Sequence, residues 1–367
     1  MRTLTSYLCL LSVFMTTAAY ATPKVKLGVS LALSGQLAEY GVAIKNGVEL
    51  ARQERPELFK NLEIIYEDDQ YDAKKAISGF KKLHHIDKVD LMFCWGGDPC
   101  STLAPLAERY KVPLLSQCPL TEISTNRNYV IRFIYNIDKH GEIITEYFKL
   151  KKIKKISMIS TQFLFFDIML DGINANLKAE QSFTSLATVL PSETDFKSIL
   201  LQKNLKNFDI IGVYLLPPQL KLFYKQAKEL GVNLNTFGTT TFESTSILKE
   251  VMPLIEGVPY THSTTSEEFL KTYKKEFGND MHVGYAAGAY DFSLLLGKLV
   301  DQKRFSAGDK PELILEAFEA VKPFNGASGK ISFVNSEKVG KYFDSGLSVK
   351  KFMNGEIHTV FAMEEDC

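Results

Sequence analysis

Short apolar runs and helical patterns take turns along this chain. Residues 25–31 and 62–66 have the length and apolar content of strands, and residues 40–52 carry apolar positions at helical spacing. Residues 73–85 read as a helix with Asp72 placed to cap it. Residues 89–95 and 112–115 read as strands with a helix over 102–110 between them. Strand and helix in strict alternation predict βαβ units and a parallel sheet covered on both faces. The pattern restarts after Arg132-Phe133-Ile134-Tyr135-Asn136-Ile137-Asp138. Strands are expected at 153–160, 183–190, 208–216 and 235–238, with helices between them, one of which, 219–230, stops at Gly231. Helices follow at 267–277 and 283–301, then a strand-like tail from 330 to 361 broken at Asn354-Gly355. The expected fold class is α/β, with two Rossmann-like lobes, each built on a parallel sheet.

The first residues do not belong to that pattern. Met1-Arg2 carries positive charge, residues 7–15 form a short apolar core, and Ala19-Tyr20-Ala21 is a small-x-small cleavage site. Residues 1–21 therefore read as a cleaved signal peptide. The apolar core is well short of the ~20 residues that span a bilayer, and no later stretch is apolar enough to do so. Export to a periplasm is the simplest destination.

Lys plus Arg and Asp plus Glu number 43 each, so the net charge is zero. That balance gives no electrostatic reason to expect nucleic acid or an anionic membrane as partner. The run Lys151-Lys152-Ile153-Lys154-Lys155 reads as a solvated edge. Beyond the signal peptide stand Cys94, Cys100, Cys118 and Cys367. Export permits a disulfide. Cys94 ends one expected strand and Cys118 follows the next, so these two thiols meet if the strands are neighbours. Free buried thiols are the equal alternative.

No enzyme signature emerges. The first strand is not followed by Gly-x-Gly-x-x-Gly, the stretch Gly326-Ala327-Ser328-Gly329-Lys330 is too short for a P-loop, and there is no nucleophile elbow. His84, His85, His140, His262, His282 and His358 show no metal-ligand spacing and read as packed or surface residues. Asp68-Asp69 reads as a strand end leading into a helix. No catalytic residue, metal or cofactor is expected.

What remains is a cleft. Ligands of open parallel sheets sit beyond the carboxyl ends of the strands, and Leu91-Met92-Phe93-Cys94-Trp95-Gly96-Gly97-Asp98-Pro99-Cys100-Ser101-Thr102 lies at such an end. Gly96 and Gly97 let backbone N–H groups approach a ligand. Asp98 suits an N-cap and Pro99 the first helical position. The helix end, with Ser101 and Thr102, suits a carboxylate or carbonyl oxygen, and Trp95 offers a flat wall. A capped helix with Trp95 as core filler is the alternative.

Four stretches then carry a likeness. Ser34-Gly35-Gln36-Leu37-Ala38-Glu39-Tyr40-Gly41, Asp68-Asp69-Gln70-Tyr71-Asp72-Ala73-Lys74-Lys75-Ala76, Gln226-Ala227-Lys228-Glu229-Leu230-Gly231 and Tyr285-Ala286-Ala287-Gly288-Ala289-Tyr290-Asp291 occur in this order. Together they resemble the type I periplasmic binding proteins of the leucine/isoleucine/valine-binding group, the substrate-capturing components of ABC importers. The resemblance spans about residues 24–361. It implies a small-molecule ligand held between hinged lobes, a cognate inner-membrane permease as partner, and a monomer. It implies crossings near 135–138, 259–263 and 326–330, giving one lobe of 22–135 plus 263–328 and another of 136–262 plus 329–363.

The resemblance also implies contacts. Tyr40 falls on an aromatic wall of the cleft, Gly97 where a serine often grips the ligand carboxylate, and Cys118 to Thr121 on the next binding turn. Phe165 falls where a tyrosine reaches across, Leu215 on another contact of the second lobe, and Thr240 where amino-acid binders place an acid for the ligand ammonium. Gly97, Phe165, Leu215 and Thr240 all lack the expected polar group, and Phe166 replaces a usual glycine. A buried ammonium without an anion is costly, and Asp98 is the nearest substitute acid in sequence. The expected ligand is accordingly amino-acid-like or less polar, an amide or a branched or aromatic acid. A ligand-sensing subunit of a membrane receptor and a scaffold with a degenerate cleft are the alternatives.

Overall fold

The computed structural model describes residues 23–363, with the backbone alone over 245–249. The expected signal peptide and Cys367 lie outside the described residues. The first lobe opens with β1 (Val25–Leu31), α1 (Ala38–Glu54), β2 (Leu62–Asp68), α2 (Ala73–Lys82), β3 (Leu91–Trp95), α3 (Gly97–Tyr110), β4 (Leu114–Gln117) and β5 (Val130–Phe133). The second runs through α4 (Lys139–Leu150), β6 (Lys155–Thr161), α5 (Leu164–Ala175), β7 (Ser182–Val189), α6 (Lys197–Leu200), β8 (Ile210–Tyr214), α7 (Pro217–Glu229), β9 (Thr236–Phe237), α8 (Thr245–Ile255) and β10 (Tyr260–Ser263). After α9 (Glu267–Phe277), α10 (Val283–Asp301) and α11 (Pro311–Glu319) come β11 (Phe324–Gly326), β12 (Gly329–Ser336), β13 (Gly340–Asp344), β14 (Leu347–Met353) and β15 (Glu356–Ala362).

The sheet of the first lobe has the order β11-β12-β13-β5-β4-β3-β1-β2. Its β1 to β5 are mutually parallel; the inner strands β1, β3 and β4 are buried along nearly their whole length, while β2 forms the half-exposed edge. The second lobe holds β7-β6-β8-β9 and β10-β14-β15, joined by a single bridge from Gly238 to Tyr260. Strand order reverses between β1 and β3 in one lobe and between β6 and β8 in the other. Each reversal opens a crevice at the carboxyl ends of the strands, and the two crevices supply the facing walls of the seam between lobes.

The tail departs from expectation. Residues 329–344 do not return to the second lobe. β13 pairs in parallel with β5, through Tyr342↔Arg132 and Phe343↔Phe133, and β12 pairs antiparallel with β13. The last crossing therefore falls at Ser345-Gly346 rather than at 326–330, and the second follows β10 at 264–266. Strand propensity is the same whichever sheet receives a strand, so the local pattern carried no information on this point. The break at Asn354-Gly355 is a tight turn with both residues at positive φ, joining β14 to β15.

The three crossings are bonded to one another. Tyr135 N–H donates to Ser345 Oγ at 3.1 Å, and Thr264 N–H to the Gly346 carbonyl at 2.9 Å. Lys139 pairs with Asp344 across the same junction. The long helix α10 lies along α1, and contact there is backbone to backbone. A Cβ on Gly47 would stand 2.1 Å from the Ala286 carbonyl oxygen. Gly47→Val is expected to lower stability by about 3 kcal/mol or to prevent folding, read as a fall in the urea midpoint at unchanged slope.

Candidate ligand-binding site between the lobes

The glycine turn is built one step differently from the sequence reading. Gly96, at φ +91°, is the N-cap of α3, and the helix begins at Gly97 rather than at Thr102. Asp98 and Pro99 thus fall inside the first turn. Asp98 is exposed and makes no cap bond, so it neither caps the helix nor stands in the buried seam as the substitute acid. The earlier start brings Cys100 over Cys94, and these two form the disulfide, with Cα atoms 5.7 Å apart. Among the described residues Cys118 is the free thiol, buried and pushed up to about 12 by that burial. Of the two alternatives left open, a Cys94–Cys118 bond and free thiols, neither holds for Cys94, although β3 and β4 are neighbours as the first required.

The disulfide clamps the loop that contains Trp95, Gly96 and Gly97. Within it, the Gly97 N–H donates to the Tyr71 hydroxyl at 3.1 Å. Tyr71 is held there by its own left-handed backbone (φ +59°) and by Asp69, whose carboxylate accepts from Tyr71 N–H at 2.8 Å and from Ser30 Oγ at 2.7 Å. Asp68 accepts from Leu33 N–H and Ser34 N–H in the neighbouring turn. The acidic pair is a turn clamp, as its position suggested, and no cluster of metal-ligating side chains occurs among the described residues.

Tyr40 is buried with its ring stacked on Trp95 at 5.0 Å and on His282 at 3.7 Å. Tyr285 meets both Tyr40 and Trp95 edge-on at 5.9 Å. Thr240 lies buried in the turn before α8, facing the Tyr285 hydroxyl, and Leu215 is buried at the end of β8. Phe165 is half-buried on α5, its ring edge-on to His140 with ring centres 6.3 Å apart. Ser101 and Thr121 are half-buried at the rim of the first lobe. The structure thus gathers Tyr40, Trp95, Gly96, Gly97 and Thr240 near the seam, and leaves Asp98 in water.

The sequence reading missed the charged centre of this seam. Glu243 is fully buried, its Oε1 accepting from the Tyr260 hydroxyl at 3.1 Å and lying 3.7 Å from Lys350 Nζ. His262 Nε2 stands 3.6 Å from Glu243 Oε2, and His282 Nε2 stands 3.4 Å from Glu39 Oε1. Burial raises the Glu243 carboxyl and lowers the Lys350 ammonium, each resisted by the charge of the other. Burial drives His262 well below the usual imidazole range. Glu243 Oε2, Thr241 Oγ1 and the ring nitrogens of His262 and His282 have no hydrogen-bond partner among the described residues. Glu39 of the first lobe bonds Ser244 of the second across the seam. Signals were present in the chain: Glu243 follows Thr240 by three residues, and Tyr71 and Tyr285 lie inside the stretches that carry the resemblance. Nothing local marked His262 or His282.

Two α/β lobes joined by three bonded crossings thus enclose a seam of stacked rings and buried polar groups. The family model for periplasmic binding proteins matches residues 24–341, and the chain belongs to that family. It is a family of binding proteins rather than enzymes. A comparison with curated proteins finds no match. Among solved structures, the chain is similar to a leucine-binding protein of Thermotoga maritima (19% identity, 92% of this chain and 98% of that one, TM-score 0.76). It is similar to a branched-chain amino acid binding protein of Streptococcus pneumoniae in complex with isoleucine (20%, 93% and 99%, 0.78). A solute-binding protein of Rhodopseudomonas palustris in complex with 3,4-dihydroxybenzoic acid is equally similar (21%, 92% and 96%, 0.76).

Two outcomes follow from the geometry. His140 is buried at the hinge, bonded to Thr261 Oγ1 at 2.7 Å and to the Tyr135 hydroxyl at 3.1 Å, and burial lowers it to about 3. Its unfolded form takes up a proton near 6.5 and its folded form does not, so stability falls as pH drops from about 6.5 towards 3, by up to ~1.4 kcal/mol per unit. Urea melts of His140→Gln are expected to show a shallower loss over that window. Cys100→Ser opens a short loop and is expected to cost about 2 kcal/mol, seen as a lower melting temperature that no longer responds to reductant.

Proposed function

We propose that this protein captures a small organic solute between its lobes and delivers it to the permease of an ABC-type importer. One observation carries the reading: a seam lined by aromatic rings holds several fully buried polar atoms with no hydrogen-bond partner among the described residues. Leaving such atoms unpaired costs about 1–3 kcal/mol each, and a bound solute supplies the partners. Similar proteins hold isoleucine and 3,4-dihydroxybenzoic acid, and a further one benzoate, which supports a ligand that is amino-acid-like or less polar, such as an amide or a branched or aromatic acid. In this reading Tyr40 and Trp95 wall the ligand, Gly96, Gly97, Ser101, Cys118 and Thr121 edge it from the first lobe, and Phe165, Leu215 and Thr240 meet it from the second. The protein works in the periplasm after loss of residues 1–21, as a monomer and without a cofactor.

A second reading, a scaffold with a degenerate cleft, is favoured by one contact: His282 already lies on the Tyr40 face. Mass spectrometry of protein purified from a periplasmic extract, native and then denatured, separates the two. Capture predicts a released small molecule in stoichiometric amount. A bare chain whose melting temperature no solute raises would support the scaffold.

A further inference from the structure

We infer that the seam reads an uncharged polar group of its ligand, a carboxamide or a hydroxyl, through Glu243, His262 and His282, and selects against ammonium and carboxylate groups. The inference rests on the capture reading above and narrows its class of solute.

Both positions that a zwitterion would use are filled by the chain itself. The N-terminus of α3 is suited to an anion, but the Tyr71 hydroxyl accepts its first N–H at 3.1 Å. The Tyr71 ring is wedged so closely against Gly96 that a Cβ there would stand 2.3 Å from Cε2. The buried acid of the second lobe is suited to a cation, but Lys350 Nζ lies 3.7 Å from it and is itself fully buried. The phenol stands in for a ligand oxygen, and the ammonium for a ligand amine.

What remains unsatisfied is of a different kind. A neutral imidazole presents one donor and one acceptor, a second carboxylate oxygen one acceptor, and a threonine hydroxyl both. His262, Glu243 Oε2 and Thr241 therefore offer a mixed set that a group both donating and accepting completes, with the unpartnered ring nitrogens of His282 at the same seam. A charged group would break the balance that Lys350 and Glu243 already keep. An ammonium would enter beside Lys350 and a carboxylate beside Glu243, while Glu39 already faces Ser244 and His282. An uncompensated buried charge carries the larger penalty of the two kinds of mismatch. Burial holds His262 neutral, which keeps the mixed set intact. The stacked faces of Tyr40, Trp95 and Tyr285 suit a flat apolar body behind the polar end.

Four probes with one aromatic ring test this: benzamide, benzyl alcohol, benzoate and benzylamine, titrated calorimetrically into the full mature protein at pH 7. Benzamide and benzyl alcohol are expected to bind at least tenfold more tightly than benzoate and benzylamine. Glu243→Gln removes the charge that balances Lys350, and is expected to reverse the order by favouring benzoate at least threefold over benzamide, with thermal melting confirming that the variant is folded. Benzoate or benzylamine ranking first in the unmodified protein overturns the inference, as does failure of all four to bind. The order in the unmodified protein decides even if the variant does not fold. Release of a solute in the mass spectrometry experiment, combined with a failed order, removes the selectivity alone. A bare chain that binds no probe removes the capture reading as well.

Discussion

Glu243 has no access to water, and the seam between the lobes is arranged around keeping a carboxylate there. Burial pushes it towards the neutral form, while Lys350 and the Tyr260 hydroxyl favour the anion. Each partner comes from a separate strand of the second lobe, β14 and β10, and the strands bring them together because Tyr260 and Lys350 are register partners. The histidines then approach from the hinge and from the first lobe. Residues of both lobes thus meet in one buried polar set, with Glu39 of the first bonded to Ser244 of the second. A fold that buries charge at the seam between its lobes ties the position of one lobe to the chemistry of the other.

The hinge follows the same logic on a smaller scale. Its crossings exchange backbone and hydroxyl hydrogen bonds, and His140, held between Thr261 and Tyr135, is kept neutral by its burial. Around it, the N-terminal turn of α3 is stapled by Cys94–Cys100 and plugged by Tyr71. The rigid parts of the molecule are thus concentrated where a ligand would need a prepared surface, which is the condition for a few polar groups to discriminate among solutes.

Much of the fold was legible along the chain. The strands β1 to β4 and β6 to β9, the Asp72 cap of α2, the stop of α7 at Gly231 and the exact span of α10 follow from apolar periodicity and terminal residues, whereas β5 and β10 were not read as strands. Tyr40 and Trp95, both singled out along the chain, are buried and stacked on each other. The α11 helix was not read, and the start of α3 was placed five residues late, because a positive φ at Gly96 sets that start and periodicity does not report it.

The sequence by itself determined the class of architecture, since alternating apolar periods dictate which segments become strands and which become helices. Tertiary structure decided which sheet received residues 329–344, which cysteines met, and which polar side chains were carried to the seam. Those outcomes depend on contacts between residues far apart in the chain, Phe343 with Phe133, Lys350 with Glu243, His282 with Tyr40. A local pattern specifies that a residue is buried or exposed, but not which distant residue it will face, and the chemistry of this seam lies in those pairings.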